Sequence, residues 1–233
     1  MDHEKPIIYV KNVRKVYRMG DEEVVALKRI NLRIYKGEVC CIFGTSGSGK
    51  STLLNQLAGM EKPTKGQVFI RGKNISDMNE EELAAFRQEH MSFIFQSYNL
   101  LPSMTAVENV AMPLMFKGMD RKKREAMAEE MLKRVGLSHR LHHYPSQMSG
   151  GQQQRAGIAR AFVSRPEVVF ADEPTGNLDT KTKAEIMDMV MGFARRFNQT
   201  IILVTHDPGM SRYADRIVTL VDGIITGDER KGQ

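Results

Sequence analysis

"GTSGSGKST", residues 44–52, holds three glycines in nine positions, which makes a poor helix and a poor strand. A lysine and two hydroxyls nevertheless stand at fixed offsets, in the spacing G-x-x-x-x-G-K-S/T from Gly44 to Ser51. The apolar run "EVCCIF" before it reads as a buried strand. "KSTLLNQLAGM" after it places Leu53, Leu54 and Leu57 on one helical face. Strand, glycine loop and helix form the context in which this motif wraps phosphates. The glycines let the loop fold back with several backbone N–H groups pointing inward, and the helix N-terminus adds its dipole. Gly44, Thr45, Ser46, Gly47, Ser48, Gly49, Lys50, Ser51 and Thr52 are therefore the expected cradle of a nucleoside triphosphate. Lys50 is expected to reach the β- and γ-phosphates, and the Ser51 hydroxyl to ligate Mg²⁺. A flexible glycine turn is the competing reading, and the flanking strand and helix disfavour it.

The chain has 233 residues, enough for one large domain spanning 1–233 with room for a subdomain. No apolar run approaches the roughly 18–20 residues of a membrane helix. The start, "MDHEKPIIYV", lacks the long apolar core of a signal peptide. Cys40 and Cys41 are adjacent in a strand, so their side chains face opposite ways and no structural disulfide is expected. That fits a reducing cytoplasm. The net charge is +6, with "RKKR" at 121–124 the densest basic run. Glu125, Glu129 and Glu130 follow on the same helix, which favours a solvated helix start over nucleic-acid binding. A mild basic excess also suits work beside an anionic membrane surface.

Residues 7–43 alternate apolar and polar and read as antiparallel strands, interrupted by the loop and its helix. "QVFIRG" is a further strand, "SDMNEEELAAFRQEH" a helix and "MSFIF" a strand. Residues 105–136 are helical again: a capping box at Thr105 and Glu108 opens the first of these helices, and Gly136 ends the second. After 150 helix and strand alternate, which implies a parallel sheet with covering helices. The predicted fold is α/β: a P-loop NTPase core with an antiparallel β subdomain and a helical insertion at roughly 97–150.

"VVFADE", 168–173, is an apolar strand ending in two carboxylates, at the end of a parallel strand where ligand sites lie. Asp172 there can hold Mg²⁺, and Glu173 can deprotonate a water attacking the γ-phosphate. His206 ends "TIILVTH" at the same predicted sheet edge, which suggests a γ-phosphate contact. The spacing of His139, His142 and His143 suggests a metal cluster. No cysteine or acid joins them nearby, so a polar helix surface is the expected role.

"MSGGQQQR", 148–155, resembles the signature sequence of ABC ATPases, and the resemblance covers nearly all of residues 7–227. Gly44–Ser51 matches Walker A, Gln96 in "FIFQSYNLLP" the Q-loop, and Ser149, Gly150, Gly151 and Gln152 the signature. Asp172 and Glu173 match Walker B, "GNLD" ending at Asp179 the D-loop, and His206 the switch histidine. Tyr17 stands where the family stacks an aromatic ring on adenine. Met148 replaces the usual leucine, a volume-conserving change. "ADEPTGNLD" and "FQSYNLLPSMTAVENVAMPL" resemble the MacB/LolD type, with the cell-division ATPase FtsE a near relative; Thr45 stands where proline is common in that group.

The resemblance implies an ATP-binding and hydrolysing subunit that uses ATP and Mg²⁺, with Glu173, His206 and Lys50 catalytic and Ser51, Gln96 and Asp172 around the metal. It implies a head-to-tail dimer with itself or a close homologue, in which ATP joins the Walker A of one subunit to the signature of the other. It also implies a separate membrane permease, docking near residues 97–119 on some of Leu100, Leu101, Met104, Met112 and Met115. The subunit would then lie on the cytoplasmic, inner face of the membrane, with no nucleic-acid partner. DNA-repair members carry long coiled-coil arms between Q-loop and signature, and Gln96 and Ser149 are too close in sequence to hold them. A binding module that has lost catalysis is disfavoured by the presence of Lys50, Asp172, Glu173 and His206.

Overall fold

The computed structural model describes residues 5–231. In chain order the elements are β1 (Ile8–Met19), β2 (Glu22–Ile34), β3 (Val39–Phe43), α1 (Lys50–Leu57), β4 (Lys65–Ile70), β5 (Lys73–Asn74), α2 (Glu80–His90) and β6 (Met91–Phe95). There follow α3 (Ala106–Phe116), α4 (Arg121–Arg134), α5 (Gly150–Val163), β7 (Val168–Asp172), α6 (Thr180–Phe197), β8 (Thr200–Thr205), β9 (Arg216–Val221) and β10 (Ile224–Arg230). The chain forms two compact units. One is built from the residues up to Arg87 and those from Thr200 on, the other from Gln88–Gln199.

In the first unit, β2, β1, β4 and β5 form an antiparallel sheet in that order. Alternation buries Ile8, Val10, Ile30, Leu32, Ile34, Val68 and Ile70. β3, at the end of the stretch expected to be antiparallel, departs from that expectation: it pairs in parallel with both β8 and β9. The physical reason is its burial on both faces, which suits a parallel strand rather than a half-solvated one. β10, which the sequence reading left out, pairs antiparallel with β9. Asp222 and Gly223, at φ +47° and +73°, make the turn between them, as a two-residue hairpin requires.

In the second unit β6 and β7 run parallel, with Phe93 stacked on Phe170 at 5.3 Å between ring centroids. α3, α4 and α5 pack on one another, and Phe162 of α5 meets Phe193 of α6 at 5.2 Å. Fully burying a side chain such as Phe162 or Phe170 stabilises by about 1.5–3 kcal/mol. The expected capping box at Thr105 and Glu108 is present. The two helices expected over 105–136 are α3 and α4, with Gly118 at φ +71° in the break and Asp120 capping α4. The basic run 121–124 opens α4, where Arg121 pairs with Glu125 at 2.7 Å.

Candidate functional site

The expected site residues fall into two groups, one in each unit. In the first unit, β3 delivers the chain to the loop and α1 carries it away. A Cβ on Gly44 would lie 2.3 Å from the Leu220 carbonyl oxygen and 2.6 Å from Ser48 Oγ, so only glycine fits. Gly47 and Gly49 take φ of +79° and +100°, which bends the loop back over the start of α1. Gly49 caps α1 without any side-chain hydrogen bond to the first amides, leaving the helix N-terminus open to an anion. Lys50 is buried at 7% exposure, and its Nζ donates to the Thr45 carbonyl at 2.7 Å. Among the described residues that carbonyl is its hydrogen-bond partner. An ammonium has three donors, so a buried one with a single neutral acceptor suits an anionic ligand. Ser48 Oγ, also buried, has no hydrogen-bond partner among the described residues.

Parallel register sets Phe43 beside Thr205, so Gly44 and His206 leave the same edge of the sheet. Asp207 shapes the turn after His206 by accepting from Gly209 N at 2.9 Å. Tyr17 is tied to α1 through Glu61: its phenol donates to Glu61 Oε2 at 2.7 Å, and Asn55 Nδ2 of α1 donates to Glu61 Oε1 at 3.0 Å. Burial, then Glu61, raises the Tyr17 pKa. The Lys15 ammonium stands 5.1 Å from the ring centroid. The structure thus brings Tyr17, the glycine loop and His206 together on one unit.

In the second unit the register repeats. Phe95 lies beside Asp172, so Gln96 and Glu173 leave one edge. Glu173 adopts φ +43°, a conformation an L-residue holds only when its surroundings impose it. Gln96 Nε2 donates to Asn177 Oδ1 at 3.3 Å, and Asn177 Nδ2 donates to the Gln96 carbonyl at 3.2 Å. A Cβ on Gly176 would come within 2.6 Å of Gln96 Nε2, so Gln96 lies against the loop after Glu173. Gln154 of α5 donates to the Pro174 carbonyl and steadies the same loop.

Ser149 caps α5. Its hydroxyl accepts from Gln152 N at 3.4 Å, and Gln152 Oε1 accepts from Ser149 N at 3.1 Å. Gly150 and Gly151 follow in the first turn. Asp179 caps α6, accepting from the amides of Lys181 and Thr182 at 3.1 Å each. Hydrogen bonds from Thr182, side chain and backbone, hold its carboxyl below the usual range. Sequence reading missed Asn177 and Gln154. The signal was present in Asn177, a carboxamide two residues before Asp179 in "GNLD".

Residues 27–176 match the ABC transporter family. An uncharacterized ABC transporter ATP-binding protein of Methanocaldococcus jannaschii is 48% identical over 219 residues, 94% of this chain and 97% of that protein. The macrolide export ATP-binding/permease protein MacB of Shewanella sp. (strain ANA-3) is 47% identical over 225 residues. That match takes in 97% of this chain and 34% of MacB, so the chain spans about a third of that relative's length. The dimeric post-hydrolysis state of the ATP-binding cassette MJ0796, bound to ADP and Pi, superposes with a TM-score of 0.89 at 42% identity, covering 96% of this chain and 98% of that one. The fold is that of these cassettes, and the chain belongs to the ABC transporter family as an ATP-binding subunit of the MacB-like type.

Proposed function

We propose that the chain hydrolyses ATP as one ABC ATPase domain, with residues roughly 97–150 as its helical subdomain, and drives a separate membrane permease. The observation that carries this reading is buried Lys50 with its single carbonyl partner beside an uncapped helix start. Lys50 and the amides of residues 44–52 hold the β- and γ-phosphates, and Tyr17 offers its ring to the base. Glu173 takes a proton from water as its oxygen bonds the γ-phosphorus. The bond to the ADP oxygen breaks, and His206 contacts the departing phosphate.

Among the described residues no three His, Cys, Asp or Glu side chains are grouped to hold a metal. Mg²⁺ does not need such a group, since it prefers a few hard oxygens plus phosphate and water. The Ser51 hydroxyl, Gln96 carboxamide and Asp172 carboxylate supply that donor type and would hold it. When bound, the ion neutralises phosphate charge.

The relatives support the assembly. MJ0796 is dimeric, and MacB joins an ATP-binding part to a permease. In the proposed dimer the subunits lie head to tail, each presenting Ser149, Gly150, Gly151 and Gln152, with Asp179, to the partner's nucleotide. Among the described residues no helix is long and apolar enough to cross a membrane. The subunit works at the inner membrane face through the permease, a placement supported by MacB, whose name joins an ATP-binding part to a permease. A cleft of ≈ 240 Å³ lined by Met104, Ala111, Met112 and Met115, with Glu108, Arg121, Arg124 and Glu125, supports docking within 97–119. Leu100, by contrast, is buried. Cargo choice lies with the permease.

Glu173→Gln tests the reading. The variant should bind ATP normally, lose roughly 10²–10⁴-fold in turnover and accumulate as an ATP-bound dimer on size exclusion. Near-normal turnover overturns the assignment of the base.

A further inference from the structure

α5 presents Gly150, Gly157 and Arg160 at spacings of one helical face, and one side of the chain at Tyr98 meets all three. A Cβ on Gly150 would lie 2.8 Å from Tyr98 Oη, and one on Gly157 would lie 3.6 Å from the Tyr98 carbonyl oxygen. Arg160 Nη2 donates to that same carbonyl at 2.9 Å, and Nη1 donates to the Asn99 carbonyl at 2.6 Å. Tyr98 and Asn99 are consecutive residues at φ +62° and +48°. Tyrosine seldom adopts this backbone, and here one guanidinium fork engages both carbonyls.

Arg160 is 8% exposed, and among the described residues no carboxylate pairs with it. A buried cation facing only neutral acceptors is a costly way to staple a loop, because an apolar side chain would fill the space more cheaply. A planar fork, however, fixes the orientation of two carbonyls at once. The grip falls on the segment that starts at Gln96, itself locked to Asn177. At the other end of α5 lie Ser149 and Gly150.

We propose that Arg160 is a positioning residue: its two-pronged grip on Tyr98 and Asn99 joins the Gln96 segment and α5 into one rigid piece, so that Gln96 and the Ser149–Gly151 turn move together. The inference rests on the ATP-driven dimer proposed above. It extends that reading by naming how nucleotide occupancy at Gln96 is relayed to the surface that closes on the partner. Arg160 acts through the carbonyls of Tyr98 and Asn99, which are its hydrogen-bond partners among the described residues.

The test uses Glu173→Gln as parent, with Arg160→Lys and Tyr98→Ala added singly. Lysine keeps the charge and loses the fork. Tyr98→Ala releases the ring from Gly150 and changes no residue of α5. Folding is followed by circular dichroism, monomer affinity with a fluorescent ATP analogue, and dimerisation by analytical ultracentrifugation across ATP concentrations. Folded Arg160→Lys should bind the analogue as the parent does and need about tenfold more ATP to dimerise, within the range by which such couplings shift, whereas Tyr98→Ala, which keeps both gripped carbonyls, should dimerise at the parent's ATP concentration. Folded Arg160→Lys that dimerises at the parent's ATP concentration overturns the proposal, and so does a tenfold loss in Tyr98→Ala, which would put the link in the ring. If the parent itself fails to dimerise, the dimer reading has failed. The relay is then decided by hydrogen exchange in the unmutated chain, which needs no variant. On adding nucleotide, peptides covering 96–101 and 149–156 should change protection together, and a response confined to 96–101 overturns the relay.

Discussion

Gln96 and Asn177 hold each other through two reciprocal hydrogen bonds, at 3.3 and 3.2 Å. Because the Gln96 NH₂ is taken by Asn177 Oδ1, the group left to face a ligand is the carboxamide oxygen, a hard donor suited to Mg²⁺. Asn177 therefore orients the Gln96 side chain.

Asn177→Leu should free the Gln96 carboxamide to rotate. ATP affinity without Mg²⁺ should hold, while the Mg²⁺ concentration for half-maximal ATPase should rise about tenfold, the worth of one or two neutral hydrogen bonds. Asn177→Asp retains an acceptor for Gln96 Nε2 and loses the donor to its carbonyl, so it should fall between. A Mg²⁺ titration of steady-state ATPase separates the three proteins.

Gly44 and Gly47 should respond differently to alanine. At Gly44 the new methyl meets the Leu220 carbonyl and Ser48 Oγ, so the loop must shift. We expect a loss of about 1–3 kcal/mol in stability, typical of overpacking, and weakened ATP binding. At Gly47 nothing lies within 4 Å of the added carbon, and the cost is the left-handed backbone, about 1–2 kcal/mol. Thermal melts with and without ATP distinguish the two. Gly44→Ala should lose most of the ligand-induced shift, and Gly47→Ala should keep more of it.

Arg216 grips Asp228 with two hydrogen bonds of 2.6 Å each. The pairing holds the Asp228 carboxyl below the usual carboxylate range. Its contribution to stability is therefore complete above the unfolded-state pKa of about 3.9 and is lost as pH falls through the lower folded value. Asp228→Asn should be less stable than the native chain at neutral pH, and the gap should close on acidification. Urea midpoints measured across the acid range test this. A gap that stays constant with pH would show that the pair acts through packing instead.

Met115 is 38% exposed and lines the cleft on α3 and α4. Met115→Glu should leave fold and ATP binding intact and abolish permease capture in a detergent pull-down. Capture with unchanged stimulation of ATPase would place the coupling surface elsewhere.

The loop at 44–52 was legible because its chemistry is local: glycines, lysine and hydroxyls must stand at fixed offsets for a backbone to enclose phosphate. The capping box at Thr105 and Glu108 was legible for the same reason, since both bonds close within three residues. The parallel pairing of β3 was not. Its strand reads apolar whichever way its neighbours run, and register between Phe43 and Thr205 is decided across a long stretch of intervening chain. β10 was hidden by its polar exposed residues, although the Asp-Gly pair before it is a strong hairpin signal. Arg160 left no trace, because its partners are two backbone carbonyls, which every residue possesses.

Cys40 and Cys41 sit side by side in β3, both fully enclosed. Burial raises both thiols, Cys41 to about 11. Thiol reagents attack the thiolate, so at neutral pH neither side chain offers a reactive or reachable sulfur. The native chain is thus a silent background for labelling. A cysteine substituted at Met115 would take a maleimide dye alone, and its fluorescence would report, without correction for the native thiols, when a partner covers the cleft.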